Sequence, residues 1–253
     1  MLKYVVALIS VSLALWSGVE WLNLWFRELA AVTQDAGRLL RQEELSLYNG
    51  REDSKGLYLA ILGQVFDVEK GRKHYGPDGG YRFFTGRDAS RAFVTGDFTE
   101  AGLTDDVSDL SPSQIVAIYD WLAFYQKDYT HVGRLIGRFY SESGKPTDVL
   151  QQVEASLAQG LKLKAQAEKE NELYPACNSE WSSDRGGRVW CSTKSGGVHR
   201  DWAGVPRMLF SPGSGHTRCV CVRLDDPTQS NNPNLQEYKH CPPQAESCLL
   251  SQD

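Results

Sequence analysis

Gly71-Arg72-Lys73-His74-Tyr75-Gly76-Pro77-Asp78-Gly79-Gly80-Tyr81-Arg82-Phe83-Phe84-Thr85-Gly86-Arg87-Asp88-Ala89-Ser90-Arg91 is the stretch on which the reading of this chain turns. Gly76, Pro77, Gly79 and Gly80, crowded between two tyrosines, force a tight loop. The loop carries Tyr75 and Tyr81 at a spacing that points both rings into one shallow pocket.

The flanks supply the frame for that loop. Residues 57–62 and 65–68 are apolar, partly alternating runs separated by Gly63-Gln64, the pattern of a hairpin with a two-residue turn. Residues 88–94 open on a capping-type Asp88 and predict a short helix. Ser111-Pro112-Ser113-Gln114 is a helix start, with Ser111 as N-cap, Pro112 at the first helical position and Gln114 completing a capping box. Ile115, Ile118, Tyr119, Leu122 and Tyr125 then share one helical face, a stripe that reads first as core packing. Residues 132–140 read as a returning strand and residues 141–146 as a polar stop.

Tyr-Gly-Pro-x-Gly-x-Tyr followed by Phe-x-Gly-Arg-Asp-Ala-Ser, with residues 57–68 before it and Tyr129-Thr130-His131-Val132-Gly133-Arg134-Leu135 after it, resembles the membrane-associated progesterone receptor branch of the cytochrome b5-like proteins. The resemblance implies a cytochrome b5-like haem-binding domain over residues 41–140; with a polar stop and an amphipathic connecting helix over 141–174 and a small disulfide-rich module over 175–253, the chain reads as α+β. It also implies that haem b binds at this loop. The family pattern makes Tyr81 the axial iron ligand through its phenolate oxygen, Tyr75 a hydrogen-bonding neighbour and Tyr129 a contact with the haem. Iron's charge would have to depress the phenol pKa, and Arg82 or Arg87 could assist. One departure stands out: the lysine that the family places just before that last tyrosine is Asp128 here, with Lys127 displaced by one position.

Ligation by two histidines does not suit the sequence. His74 sits in the loop, but residues 97–109 hold no histidine to face it, and His131 reads as a capping or surface residue at a strand start. A hard anionic oxygen favours ferric iron and lowers the reduction potential, which suits haem carriage, sensing or haem-dependent contact better than electron shuttling.

Residues 1–30 read as a targeting segment, with Lys3 ahead of an apolar run over residues 4–16 and further apolar character to Phe26. A cleaved signal peptide and an uncleaved signal anchor both send the rest of the chain into the secretory lumen. The cysteines agree: Cys177, Cys191, Cys219, Cys221, Cys241 and Cys248 all lie in the tail and predict three disulfides whose pairing stays open. No Cys-x-x-Cys pair suggests a zinc site, and no Asn-x-Ser/Thr sequon occurs. Val149, Val153, Leu157 and Leu161 recur at helical spacing until Pro175, whereas the tail beyond it, with Trp181, Trp190 and Trp202, reads as loop-rich.

A net charge of -5 with no basic run excludes a nucleic-acid partner. Gly213-Ser214-Gly215-His216 lacks the strand-turn-helix context of a nucleophile elbow, so the expectation is a non-enzyme. The reading is a secreted haem-binding protein, and for a branch member with such a tail the resemblance implies a role in promoting neuronal differentiation. The alternatives are a membrane-anchored haem protein supporting a redox or sterol-metabolising enzyme, and a haem-free extracellular interaction module. Expected partners are haem, an extracellular or membrane protein, and a second copy in a haem-mediated homodimer.

Overall fold

Short β-rich runs around the glycine loop pair into the sheet that carries the site. In the computed structural model, which describes residues 38–184, 186–211 and 215–250, the leader expected over residues 1–30 lies outside the described residues. The strands are β1 (Arg38–Leu40), β2 (Tyr58–Ile61), β3 (Gln64–Asp67) and β4 (Thr130–Leu135), in the order β1-β4-β3-β2. β2, β3 and β4 are antiparallel, and β1, which the sequence did not announce, joins β4 in parallel. Helix α1 (Gln42–Leu45) follows β1 directly, and Leu40, Leu45, Ala60, Val65 and Leu135 form one buried cluster. The strand expected over residues 132–140 stops at Leu135; Tyr140 makes only isolated bridges, to Ile136 and Pro146.

The turn between β2 and β3 falls at Leu62-Gly63, one residue earlier than Gly63-Gln64, with φ of 47° and 72°. Two successive positive φ values match the twist of a tight hairpin, but a leucine adopts one only when its surroundings hold it there. They do. Ser90 Oγ accepts from Leu62 N–H and Asp88 Oδ2 accepts from Gly63 N–H, both at 2.7 Å. Asp88 therefore clamps the hairpin and does not cap a helix; the short helix α3 (Ala92–Thr95), which follows α2 (Arg72–Tyr75) in the chain, starts four residues after it.

Burial strips water from Asp88 and pushes its carboxyl from 3.8 up to about 6. The folded chain thus holds this proton more tightly than the unfolded chain. That contribution to stability is complete below pH 3.8 and is lost as pH rises through about 6. A gap of roughly two units corresponds to about 3 kcal/mol. Denaturation of the parent and Asp88→Asn should therefore show the parent losing about that much relative to the variant between pH 4 and 7; a difference independent of pH would contradict the assignment.

Helix α4 (Pro112–Asp128) begins as its sequence dictates, with the Ser111/Gln114 capping box closed and Pro112 in the first turn. Its buried face is Ile115, Val116, Ile118, Leu122 and Tyr125, leaving Trp121 and Phe124 exposed on the other side. Helix α5 (Asp148–Leu173) buries Leu150, Val153, Leu157 and Gly160, a face rotated slightly from the expected Val149 and Leu161. Among the described residues no helix is long and apolar enough to cross a membrane.

The chain divides into two compact units between Gly160 and Leu161. The second is more ordered than a loop-rich module. It holds β5 (Asn178–Ser182), β6 (Gly186–Trp190), β7 (Val205–Ser211), β8 (His216–Val222), helix α6 (Pro227–Ser230), β9 (Leu235–Gln236) and β10 (Ser247–Leu250), in two sheets ordered β10-β6-β5 and β8-β7-β9. Its core is Tyr174, Val205, Leu209, Val220 and Val222, and not the tryptophans: Trp181 is 72% exposed and Trp202 lies under Arg200. Three disulfides staple it, Cys177–Cys219, Cys191–Cys221 and Cys241–Cys248.

Candidate functional site: an aromatic cradle around Tyr81

The glycine loop is folded by its own backbone. Helix α2 ends as Gly76 N–H donates to Arg72 O, Gly79 N–H donates to Gly76 O, and Tyr81 N–H returns to His74 O at 2.9 Å. Gly79 is required for that closure, because a Cβ there would stand 2.1 Å from the His74 carbonyl oxygen. A 3₁₀ turn, Arg82–Phe84, follows immediately. Tyr75 is thereby buried while Tyr81, six residues on, is 51% exposed, with their ring centroids 6.3 Å apart.

Tyr75 is anchored from below. Its hydroxyl meets that of Tyr125, from α4, at 2.6 Å in a buried pair. Burial pushes the Tyr75 phenol up to about 12 and raises Tyr125 as well, so both stay neutral across physiological pH. Tyr129, at the end of α4, packs edge-on to Tyr75 at 6.0 Å and stacks on Tyr125 at 5.2 Å. Gly71 admits this packing, since a Cβ there would lie 2.8 Å from the Tyr129 hydroxyl. The structure thus brings Tyr75, Tyr81 and Tyr129 into one cluster. Tyr75→Phe should destabilise the fold by about 1 to 3 kcal/mol, because it leaves the buried Tyr125 hydroxyl without its partner. Chemical denaturation checks this, and an unchanged midpoint would contradict the pairing.

Around Tyr81 the sequence reading missed a continuous run of rings. Tyr81 touches Phe83 and Phe84; Phe84 stacks on Phe93 at 4.3 Å and Phe83 on Phe98 at 4.3 Å. Phe93 then meets Trp121, which meets Phe124, which meets Tyr129. Phe98, Trp121 and Phe124 are each more than 40% exposed, so the patch lacks a cover within its own unit. The signal was present in Trp121 and Phe124, large apolar residues set off the buried face of α4.

A cation stands at this site despite the displaced lysine: Lys70 Nζ lies 4.8 Å from the Tyr129 ring centroid. Arg87 is engaged by Glu100 and the Arg82 guanidinium by the Gly79 carbonyl. His74 is exposed on α2, whereas His131 lies in β4 with its ring edge-on to Phe66.

A flat apolar macrocycle bearing a hard metal ion needs flat apolar walls and an accessible oxygen donor. Tyr81 and the surrounding rings supply both, so the residues present fit haem. In the same clusters, the neutral and buried Tyr75 is suited to support and not to ligation.

Residues 41–136 match the cytochrome b5-like heme/steroid binding domain. The chain is 66% identical to a neuferricin of Danio rerio over 100% of both chains, and 53% identical to the neuferricin of Homo sapiens over 83% of this chain and 85% of that one. It is 45% identical to a membrane-associated progesterone-binding protein 4 of Arabidopsis thaliana over 84% of each. With the first of these identities running over the whole of both chains, the chain belongs to the neuferricin family.

Proposed function

We propose that the chain is a secreted, non-enzymatic haem b protein in which Tyr81 supplies the iron ligand. The observation that carries the reading is the exposed Tyr81 phenol standing in an uncovered cradle of aromatic rings. Haem bound through a phenolate would supply a ferric iron of low reduction potential. The protein's own part is to bind and orient. Phe83, Phe98, Trp121 and Phe124 present apolar faces, Tyr75 and Tyr125 fix the floor, and Lys70 offers a positive charge at the rim. A cradle that binds and orients suits carriage, sensing or haem-dependent contact.

The domain boundaries proposed are a leader over residues 1–30, the haem-binding domain over 41–140, a connecting segment over 141–174 and the cysteine-rich module over 175–253. Tail disulfides support an oxidising compartment. Kinship with the neuferricins is the support for a role in promoting neuronal differentiation. The exposed rings that remain around a bound haem form the surface for a haem-mediated homodimer.

Titration of the full chain with hemin, followed by absorption, tests the reading. Saturable 1:1 binding with a shifted Soret band is expected. Absence of saturable binding would leave a haem-free interaction module, and a steroid competing with hemin would instead assign the cradle to that apolar ligand.

A further inference from the structure

Two of the three disulfides lie against each other. Asn178 pairs with Trp190 at the end of the β5–β6 ladder, so Cys177 and Cys191, one residue beyond on each strand, leave it side by side. Cys219 and Cys221, two apart on β8, share one face of that strand. Residues 175–177 run along β8, with Cys177 N–H donating to Cys219 O at 3.2 Å and Cys221 N–H to Pro175 O at 2.7 Å. Two strand-borne cysteine pairs therefore face each other. The sulfurs of Cys177, Cys191 and Cys221 lie within 4.8 Å of one another, and the Cys219 sulfur is bonded to that of Cys177.

Four cysteines converging from the open end of the β5–β6 hairpin and from one face of β8 are a ligand set once their bonds are opened. Zinc–thiolate distances of about 2.3 Å in a tetrahedron put neighbouring sulfurs about 3.8 Å apart. The three clustered sulfurs are already at that scale, and the Cα separations of 5.4 and 5.7 Å across the two disulfides leave each pair free to open by side-chain rotation. Cys191 and Cys221 are buried, which keeps water from two of the four positions.

We propose that Cys177, Cys191, Cys219 and Cys221 form a tetrahedral zinc site in the chain whose two disulfides are reduced. Two equivalents of a phosphine-class reductant supply four electrons and leave as phosphine oxide, with two waters supplying the oxygens and the four protons, and both S–S bonds open to four thiols; four equivalents of a thiol do the same and leave as two disulfides. Zinc then displaces four protons as four Zn–S bonds form. In the reverse direction a disulfide-class oxidant removes four electrons, the two native S–S bonds form and the ion leaves. The site thus holds the four sulfurs next to their native partners before oxidation, in any compartment or stage where they are reduced.

The test uses the full chain carrying Cys241→Ser and Cys248→Ser, reduced with a phosphine in the absence of oxygen and titrated with Co²⁺. Expected are one equivalent bound, sulfur-to-cobalt charge-transfer absorption in the near ultraviolet, strong tetrahedral bands in the red, and bleaching of both by Zn²⁺. Cys191→Ser should lower cobalt affinity roughly tenfold or more and weaken the charge-transfer absorption. Zn²⁺ should also restore protease resistance to the second unit of the reduced chain. A weak octahedral cobalt spectrum, a spectrum unaltered by Cys191→Ser, or a reduced chain left equally protease-sensitive by Zn²⁺ would each overturn the proposal.

Discussion

Gly79→Ala should abolish tight hemin binding while Gly80→Ala, one residue away, leaves it nearly intact. The added Cβ at position 79 would meet the His74 carbonyl oxygen at 2.1 Å, its carbon at 2.3 Å and Tyr75 N at 2.9 Å, all of them backbone atoms with no side-chain rotation to relieve the clash. The loop would have to open, breaking the Tyr81 N–H to His74 O bond that sets Tyr81 in the cradle. A Cβ at Gly80 meets nothing within 4 Å. We expect a loss of roughly a hundredfold in hemin affinity for Gly79→Ala, equivalent to about 2.7 kcal/mol, against less than about twofold for Gly80→Ala. Equal affinities for the two variants would show that this backbone closure does not position the ligand.

Removal of the inner disulfide should damage the second unit far more than removal of Cys241–Cys248. Cys191–Cys221 joins the residue just past β6 to the penultimate residue of β8, with both cysteines buried and the two residues 30 apart in sequence. Cys241–Cys248 closes only a span of 7. Constraint on the unfolded chain grows with the loop closed, and loss of a bridge from a small module costs about 2 to 5 kcal/mol. Cys191→Ser/Cys221→Ser should therefore make residues 175–250 protease-sensitive and lower the yield from a secreting host, with Cys241→Ser/Cys248→Ser closer to the parent. The opposite ranking, measured by limited proteolysis, would contradict this account.

The loop and the helix starts were legible in the sequence because their causes are local. Glycine and proline spacing fixes the Tyr75–Tyr81 turn, and Ser111, Pro112 and Gln114 close a cap within one helical turn. The β2–β3 turn was misplaced by one residue because its cause is remote: Leu62 and Gly63 adopt positive φ while their N–H groups donate to Ser90 and Asp88, more than twenty positions away. Asp88 looked like a cap for the same reason. The tyrosine cluster was legible from motif spacing, but its walls were not, since Phe93, Phe98, Trp121 and Phe124 come from separate segments that only the fold brings together. In the tail, strands such as His216–Val222 carry charged and polar residues that hide their alternation, so the two sheets and the core of Tyr174, Leu209 and Val220 emerge only in the fold.

Ligation of iron by Tyr81 is tested most directly by the absorption spectrum of the hemin-loaded full chain beside those of Tyr81→Phe and His74→Ala. Tyr81→Phe keeps a half-exposed ring and removes only the oxygen, so the fold should persist, as circular dichroism would verify. The account predicts a phenolate-to-iron charge-transfer band in the parent and in His74→Ala, and its loss from Tyr81→Phe together with a large fall in hemin affinity. A folded Tyr81→Phe that retains the parent spectrum, with haem lost instead from His74→Ala, would contradict it and assign the iron to histidine.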